Sequence, residues 1–201
     1  MKVNSNIILK DNEIYLQKPE LAPEDEVAIA FASILEKLGV KYAVVSGYVA
    51  ILFGMARGSE DIDFIAELNK EEFEEICNIK GFELLQGPCG EAWEILEEGH
   101  SVRLLHKDKI FPNVELKLPK TEVHKFAIEN AIKVVINDSH IVRISPLELQ
   151  IAYKLYLGSD KDLGDAAFLF ELFRNALDLE ELERWCKWMN CSLKGLGIGR
   201  T

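Results

Sequence analysis

The stretch VVSGYVAILFGMARGSEDIDF (residues 44–64) decides how this chain reads, because it closes on two carboxylates, Asp61 and Asp63, one residue apart. Alternate residues of a strand share a face, so Asp61 and Asp63 project together while Ile62 and Phe64 point into a core. Two carboxylates so placed repel each other and call for positive charge. A hard divalent cation fits best, Mg²⁺ with Mn²⁺ as the alternative, since it takes oxygen ligands and leaves positions for phosphate oxygens and water. Upstream, Tyr42–Val45 reads as a short buried strand, and Ser46-Gly47 turns the chain into the apolar run 49–53. Backbone N–H groups at that helix start face a phosphate in this reading, and Gly47 allows close approach. Arg57, Gly58 and Ser59, on the way back to the acidic strand, add a cation and a hydroxyl, and together with the cation site and the turn they suit a nucleoside triphosphate.

This stretch resembles the nucleotidyltransferase superfamily typified by DNA polymerase beta. The family pattern runs from a hydrophobic residue, Gly, and Gly or Ser, across a gap of about ten residues, to Asp, a hydrophobic residue, Asp or Glu, and another hydrophobic residue. Val45-Ser46-Gly47 takes the first part and Asp61-Ile62-Asp63-Phe64 the second. Ser46 stands where the first Gly is usual, so its backbone is expected to avoid the conformations only Gly tolerates, while its hydroxyl is available to a phosphate. The family's third carboxylate comes from a later strand; in the alternating run 113–118 the candidate is Glu115, between Val114 and Leu116. Residues 145–173 resemble the helical region of small archaeal and bacterial nucleotidyltransferases related to the AbiEii toxins, with Lys154, Lys161, Asp162 and Asp165 at matching positions. Gly164 is unusual there, and close packing or a ligand's approach is the expected reason for it.

The resemblance implies an enzyme that moves a nucleoside monophosphate from a nucleoside triphosphate such as ATP to a hydroxyl acceptor. Asp61, Asp63 and Glu115 are then catalytic and metal-binding, and Ser46, Gly47, Arg57, Ser59 and Lys154 bind the nucleotide. The acceptor it implies is a protein side chain, an RNA 3′ end, or a small alcohol such as an aminoglycoside. The alternative is a catalytically weak or inactive partner-binding component of a toxin–antitoxin-like pair. Each residue also has a plainer reading. Two alternating aspartates, or Glu115, suit a solvated strand face; Arg57 can pair with Glu60; Lys154 can snorkel from an apolar helix; Asp162 and Asp165 can favour a helix dipole.

With 201 residues and 48% hydrophobic content, the chain is long enough to bury a substantial core. A formal net charge of −11 gives little support for broad contact with a phosphate backbone, so RNA is disfavoured as a partner, and it suits a basic protein surface instead. No run of eighteen apolar residues and no charged-then-apolar leader occurs, so neither a membrane span nor a signal peptide is expected and the cytoplasm is the expected location. Cys77, Cys89, Cys186 and Cys191 lack the spacing of a zinc site and are expected to be reduced and structural. The four histidines show no ligand spacing and are expected at surfaces or turns.

The expected fold class is α+β: a nucleotidyltransferase-like mixed sheet flanked by helices over residues 1–144, with a C-terminal helical region, 145–201, packed on it. Residues 1–21 read as a partly mobile start with a short strand near Ile7. Pro23 and the acidic residues after it open a helix with the stripe Val27, Phe31, Ile34, Leu35 and Leu38, ended by Gly39. Asn69 and Glu72 form a capping signature for a helix burying Phe73, Ile76 and Cys77 and closed by Gly81. Residues 82–118 read as strands and turns, 133–136 and 141–144 as a hairpin, and three helices follow from Pro146, Asp160 and Asp178, the last burying Trp185. The Gly-rich end, 195–201, is expected to fray.

Overall fold

In the computed structural model, which describes residues 1–106 and 109–196, the acidic stretch lies at the centre of a nine-stranded sheet. Residues 197–201, most of the end expected to fray, lie outside the described residues. The strands are β1 (Ile7–Lys10), β2 (Glu13–Leu16), β3 (Tyr42–Val45), β4 (Asp61–Ala66), β5 (Phe82–Leu84), β6 (Val102–His106), β7 (Lys109–Lys117), β8 (Ile132–Ile136) and β9 (His140–Ile144). Their order across the sheet is β1-β2-β8-β9-β3-β4-β7-β6-β5, with parallel pairs β2/β8, β3/β9 and β4/β7 and the others antiparallel.

Alternation along β4 divides the sheet's two faces. Ile62 and Phe64 are fully buried, and Phe64 meets Phe31 of α1 (Pro23–Leu38) edge-on, ring centroids 4.9 Å apart. Helix α1 begins at Pro23 with three acidic residues in its first turn and ends on left-handed Gly39, as its sequence dictates. The opposite face of β4 carries Asp61 and Asp63 and is roofed by α5 (Glu122–Glu129) and α6 (Leu147–Leu157). Helix α5 escaped the sequence reading, although Thr121 caps it by accepting the His124 N–H.

The N-terminal segment departs from the expected mobility. β1 and β2 form a hairpin whose second strand pairs with β8, and Ile7, Ile14 and Leu16 are buried. The Asn137 side chain ties this segment down, accepting the Lys18 N–H at 2.8 Å and donating to the Lys18 carbonyl at 3.1 Å. The alternation of Ile14 and Leu16 is too short to announce a strand without β8 beside it.

Helix α3 (Lys70–Cys77) has the Asn69/Glu72 capping box but ends at Cys77, short of Gly81. Its last residue forms a disulfide with Cys89, the first residue of α4 (Cys89–Glu97), which corrects the expectation of four reduced cysteines. The cause is tertiary: the helix ends meet with Cα atoms 6.1 Å apart, which a spacing of twelve residues does not reveal. Reducing this bond is expected to lower stability by about 2–3 kcal/mol, the loop-closure entropy of such a short loop, as read by urea denaturation with and without reductant. Cys186 and Cys191 are free. His106 is a second correction, being buried and stacked on Phe82.

After β9 the chain enters α6 directly, and α7 (Asp160–Phe173) and α8 (Leu179–Met189) follow. The Ser145 N–H donates to the Val44 carbonyl at 2.9 Å, fastening the start of this helical region to β3. Trp185 is half-buried, edge-on to Phe126 at 4.8 Å. Of the two reasons expected for Gly164 of α7, close packing is absent, because a Cβ there would lie 3.8 Å from Met55 Cε, an ordinary contact. Gly164→Ala is therefore expected to stabilise the protein by up to ~1 kcal/mol through helix propensity, seen as a higher urea midpoint. Among the described residues no helix is long and apolar enough to cross a membrane.

Candidate active site

The sheet register brings the three predicted carboxylates together. β4 runs parallel to β7 with Asp63 opposite Glu115, and β6 runs antiparallel to β7 with Arg103 opposite Glu115. Lys117, two residues beyond Glu115, shares its face. Its Nζ lies 2.6 Å from Glu115 Oε1 and 3.1 Å from Asp63 Oδ1. Arg103 Nη2 stands 3.5 Å from Glu115 Oε2 and 3.6 Å from Asp61 Oδ2. The side chain of Asp61 is 32% exposed, against 16% for Asp63 and 14% for Glu115, so Asp61 faces the solvent side of the cluster.

Lys117 and Arg103 are the members of this cluster that the sequence did not point to; the one signal was the position of Lys117, two residues after a candidate ligand. Their charges shape the cluster's titration. Burial raises the Asp63 carboxyl above its ordinary value, with Glu115 and Asp61 adding to the rise and Lys117 opposing it. For Glu115 burial acts upward too, but hydrogen bonds from Lys117 and Ser101 and the charge of Arg103 outweigh it and leave the carboxyl lowered. Burial would lower the Lys117 ammonium, but its two carboxylate partners outweigh this and hold it above its usual value. Among the described residues no three acidic, His or Cys side chains stand in ready-made metal-binding geometry. The donor chemistry nevertheless fits a hard cation. Three carboxylates converge on one face, and the two cations paired with them, which leave one negative charge unbalanced, reach in on long, partly exposed side chains.

The turn between β3 and α2 (Gly47–Leu52) departs from expectation. Ser46 has φ 65° and ψ −140°, a conformation that favours Gly and costs a residue with a Cβ about 1–3 kcal/mol. The serine thus takes up a glycine-like backbone shape. Its peptide groups are held by Gln150 of α6, whose Oε1 accepts the Ser46 N–H at 3.2 Å and whose Nε2 donates to the Ser46 carbonyl at 2.6 Å.

Arg57 pairs with Asp165 of α7 rather than with Glu60. Its Nε and Nη2 donate to the two carboxylate oxygens at 2.9 and 2.6 Å, and Nη2 also reaches the Gly47 carbonyl at 3.2 Å. A Cβ on Gly47 would come within 2.8 Å of Arg57 Nη2, so the glycine is what lets the guanidinium lie against the turn. Lys154 is not a snorkelling surface residue. It is 2% exposed, with Nζ 2.5 Å from Asp162 and 3.1 Å from Asp165. A chain of ion pairs thus runs from Lys154 through Asp165 to Arg57 and the turn. Ser59 is placed apart: its N–H donates to Glu24 Oε1 at 3.1 Å, and no contact joins its hydroxyl to the carboxylates among the described residues.

Beside Asp63 lies a cavity of about 170 Å³ lined by Ser46, Asp63, Lys117, His124, Gln150 and Tyr153, with apolar residues of α5 and α6 completing it. Burial, and secondarily the charge of Lys117, hold the His124 imidazole below its usual value. A strained turn, a carboxylate cluster and a half-apolar cavity therefore meet at one end of β3 and β4.

No protein-family model matches the sequence, and no curated protein matches it. Solved structures do. The solution structure of the antibiotic-resistance factor ANT(2'')-Ia aligns over 84% of this chain and 93% of its own, with a TM-score of 0.55 and 12% identity. The crystal structure of an antigenic nucleotidyltransferase-like protein from Paracoccidioides brasiliensis aligns over 82% of this chain and 85% of its own, with a TM-score of 0.53 and 17% identity. The chain has the nucleotidyltransferase fold, as its acidic stretch implied.

Proposed function

We propose that this protein is a nucleotidyltransferase that moves a nucleoside monophosphate from a nucleoside triphosphate to a hydroxyl acceptor, with Mg²⁺ or Mn²⁺ held by Asp61, Asp63 and Glu115. The observation that carries the reading is the convergence of these carboxylates, on adjacent strands, beside the Ser46-Gly47 turn and the cavity. A bound divalent ion would supply charge neutralisation for the triphosphate and acidify the acceptor hydroxyl. In the reaction the acceptor oxygen forms a bond to the α-phosphorus, the bond from that phosphorus to the α–β bridging oxygen breaks, pyrophosphate leaves, and the hydroxyl proton passes to solvent.

The chain's own residues bind and orient. Ser46 and the Gly47 backbone offer a polar turn to the β- and γ-phosphates, with the Arg57 guanidinium lying against it. Asp165 fixes Arg57, and Lys154 fixes Asp165, so the role of Lys154 here is to position Arg57 rather than to touch nucleotide from where it stands. Lys117 keeps Asp63 and Glu115 from repelling each other before metal and nucleotide arrive. The net charge of −11 weighs against RNA as the acceptor, and the small cavity favours a small alcohol or a single side chain. The test is a mass-spectrometric search of native lysate, supplied with each nucleoside triphosphate and Mg²⁺, for species heavier by one nucleoside monophosphate. Such species are expected with the wild type and not with Asp61→Ala/Asp63→Ala; identical spectra would count against the proposal.

A further inference from the structure

Gln150 is 2% exposed in the first turn of α6, and its carboxamide oxygen and nitrogen both engage a single residue. That residue, Ser46, has φ 65° and ψ −140°, a conformation unfavourable for any side chain with a Cβ. The bonds grip the peptide groups on both sides of the Ser46 Cα and so fix the torsion angles between them. No other described hydrogen bond reaches the Ser46 N–H or carbonyl from a side chain. Ser46 and Gln150 also share the wall of the cavity that holds Asp63.

We infer that Gln150 is a positioning residue: it holds Ser46 in a glycine-like conformation, so that the turn keeps the shape it presents to the cavity and α6 sets that shape. The functional part of this inference rests on the proposal that the turn receives a triphosphate; the structural part does not. A glycine at position 46 would adopt the conformation unaided, so Ser46 and Gln150 act as one unit and their substitutions are non-additive.

The experiment has two arms on Gln150→Met, which keeps the side chain's size and removes both polar ends, with Gln150→Glu as a second variant that turns the contact with the Ser46 carbonyl into repulsion. In crystal structures without ligand, Ser46 is expected to leave positive φ in either variant, whereas in Ser46→Gly/Gln150→Met the backbone at position 46 is expected to keep it. Affinity for a non-hydrolysable ATP analogue with Mg²⁺ is expected to fall roughly tenfold on Gln150→Met when residue 46 is Ser, and less than about threefold when it is Gly. Retention of positive φ at Ser46 in the single variants, or an equal loss of affinity in both backgrounds, would overturn the inference. If the wild type binds no triphosphate, the proposed function fails, while the backbone of Ser46 still decides the role of Gln150.

Discussion

Asp61→Ala/Asp63→Ala is expected to lower nucleotidyl transfer by about a thousandfold or more while leaving the fold intact, because several kcal/mol of transition-state stabilisation pass through the metal these residues would hold. Preservation of the fold follows from the geometry. Asp61 is the most exposed of the three carboxylates, and removing Asp63 leaves Lys117 paired with Glu115 at 2.6 Å, so no buried charge is stranded. Circular dichroism and the thermal midpoint are expected to stay near those of the wild type. A labelled triphosphate assay then isolates the chemistry, and wild-type rates in the variant would exclude the carboxylates from it.

The second large effect is expected at Asp165→Ala, and there the loss is of stability. Asp165 is fully buried and balances two cations, Arg57 with two hydrogen bonds and Lys154 at 3.1 Å. Without it, among the described residues, Lys154 keeps only Asp162, and the Arg57 guanidinium keeps only carbonyl partners. Breaking a buried network in this way costs about 3–5 kcal/mol, a large share of a domain's total stability. Urea denaturation is expected to show the midpoint shifted down accordingly. A shift within a few tenths of a kcal/mol of zero would mean that the network is solvated and that Lys154 is free for another task.

The balance of what was legible follows the range of each interaction. The alternation Asp61-Ile62-Asp63-Phe64 is local, and it gave the strand, its buried face and its acidic face from four residues. Glu115 could be proposed from the alternation of its own strand, but its position opposite Asp63 depends on β4 and β7 pairing across more than fifty residues. Lys117 and Arg103 went unremarked because a cation on a strand acquires meaning only when its neighbouring strands are known. The Cys77–Cys89 bond and the N-terminal hairpin share that cause, each being made by a partner distant in the fold.

Ser46 is a different lesson. Residue preference correctly says that a serine avoids positive φ, and the chain overrides it with a glutamine 104 residues away. Local rules fail here at a candidate functional site, which is where sequence and fold are expected to conflict. Gly164 is the reverse case: its helix position suggested a hidden constraint, and a Cβ there meets nothing closer than an ordinary contact.

Asp61, Asp63 and the Ser46-Gly47 turn are proposed to form one site for a nucleoside triphosphate and a divalent cation. Isothermal titration of the wild-type protein with a non-hydrolysable nucleoside triphosphate, with and without Mg²⁺, tests it most directly. Saturable binding of one triphosphate per chain is expected, requiring Mg²⁺ and disappearing in Asp61→Ala/Asp63→Ala. Binding that is independent of Mg²⁺, or equally tight in the double variant, would contradict it.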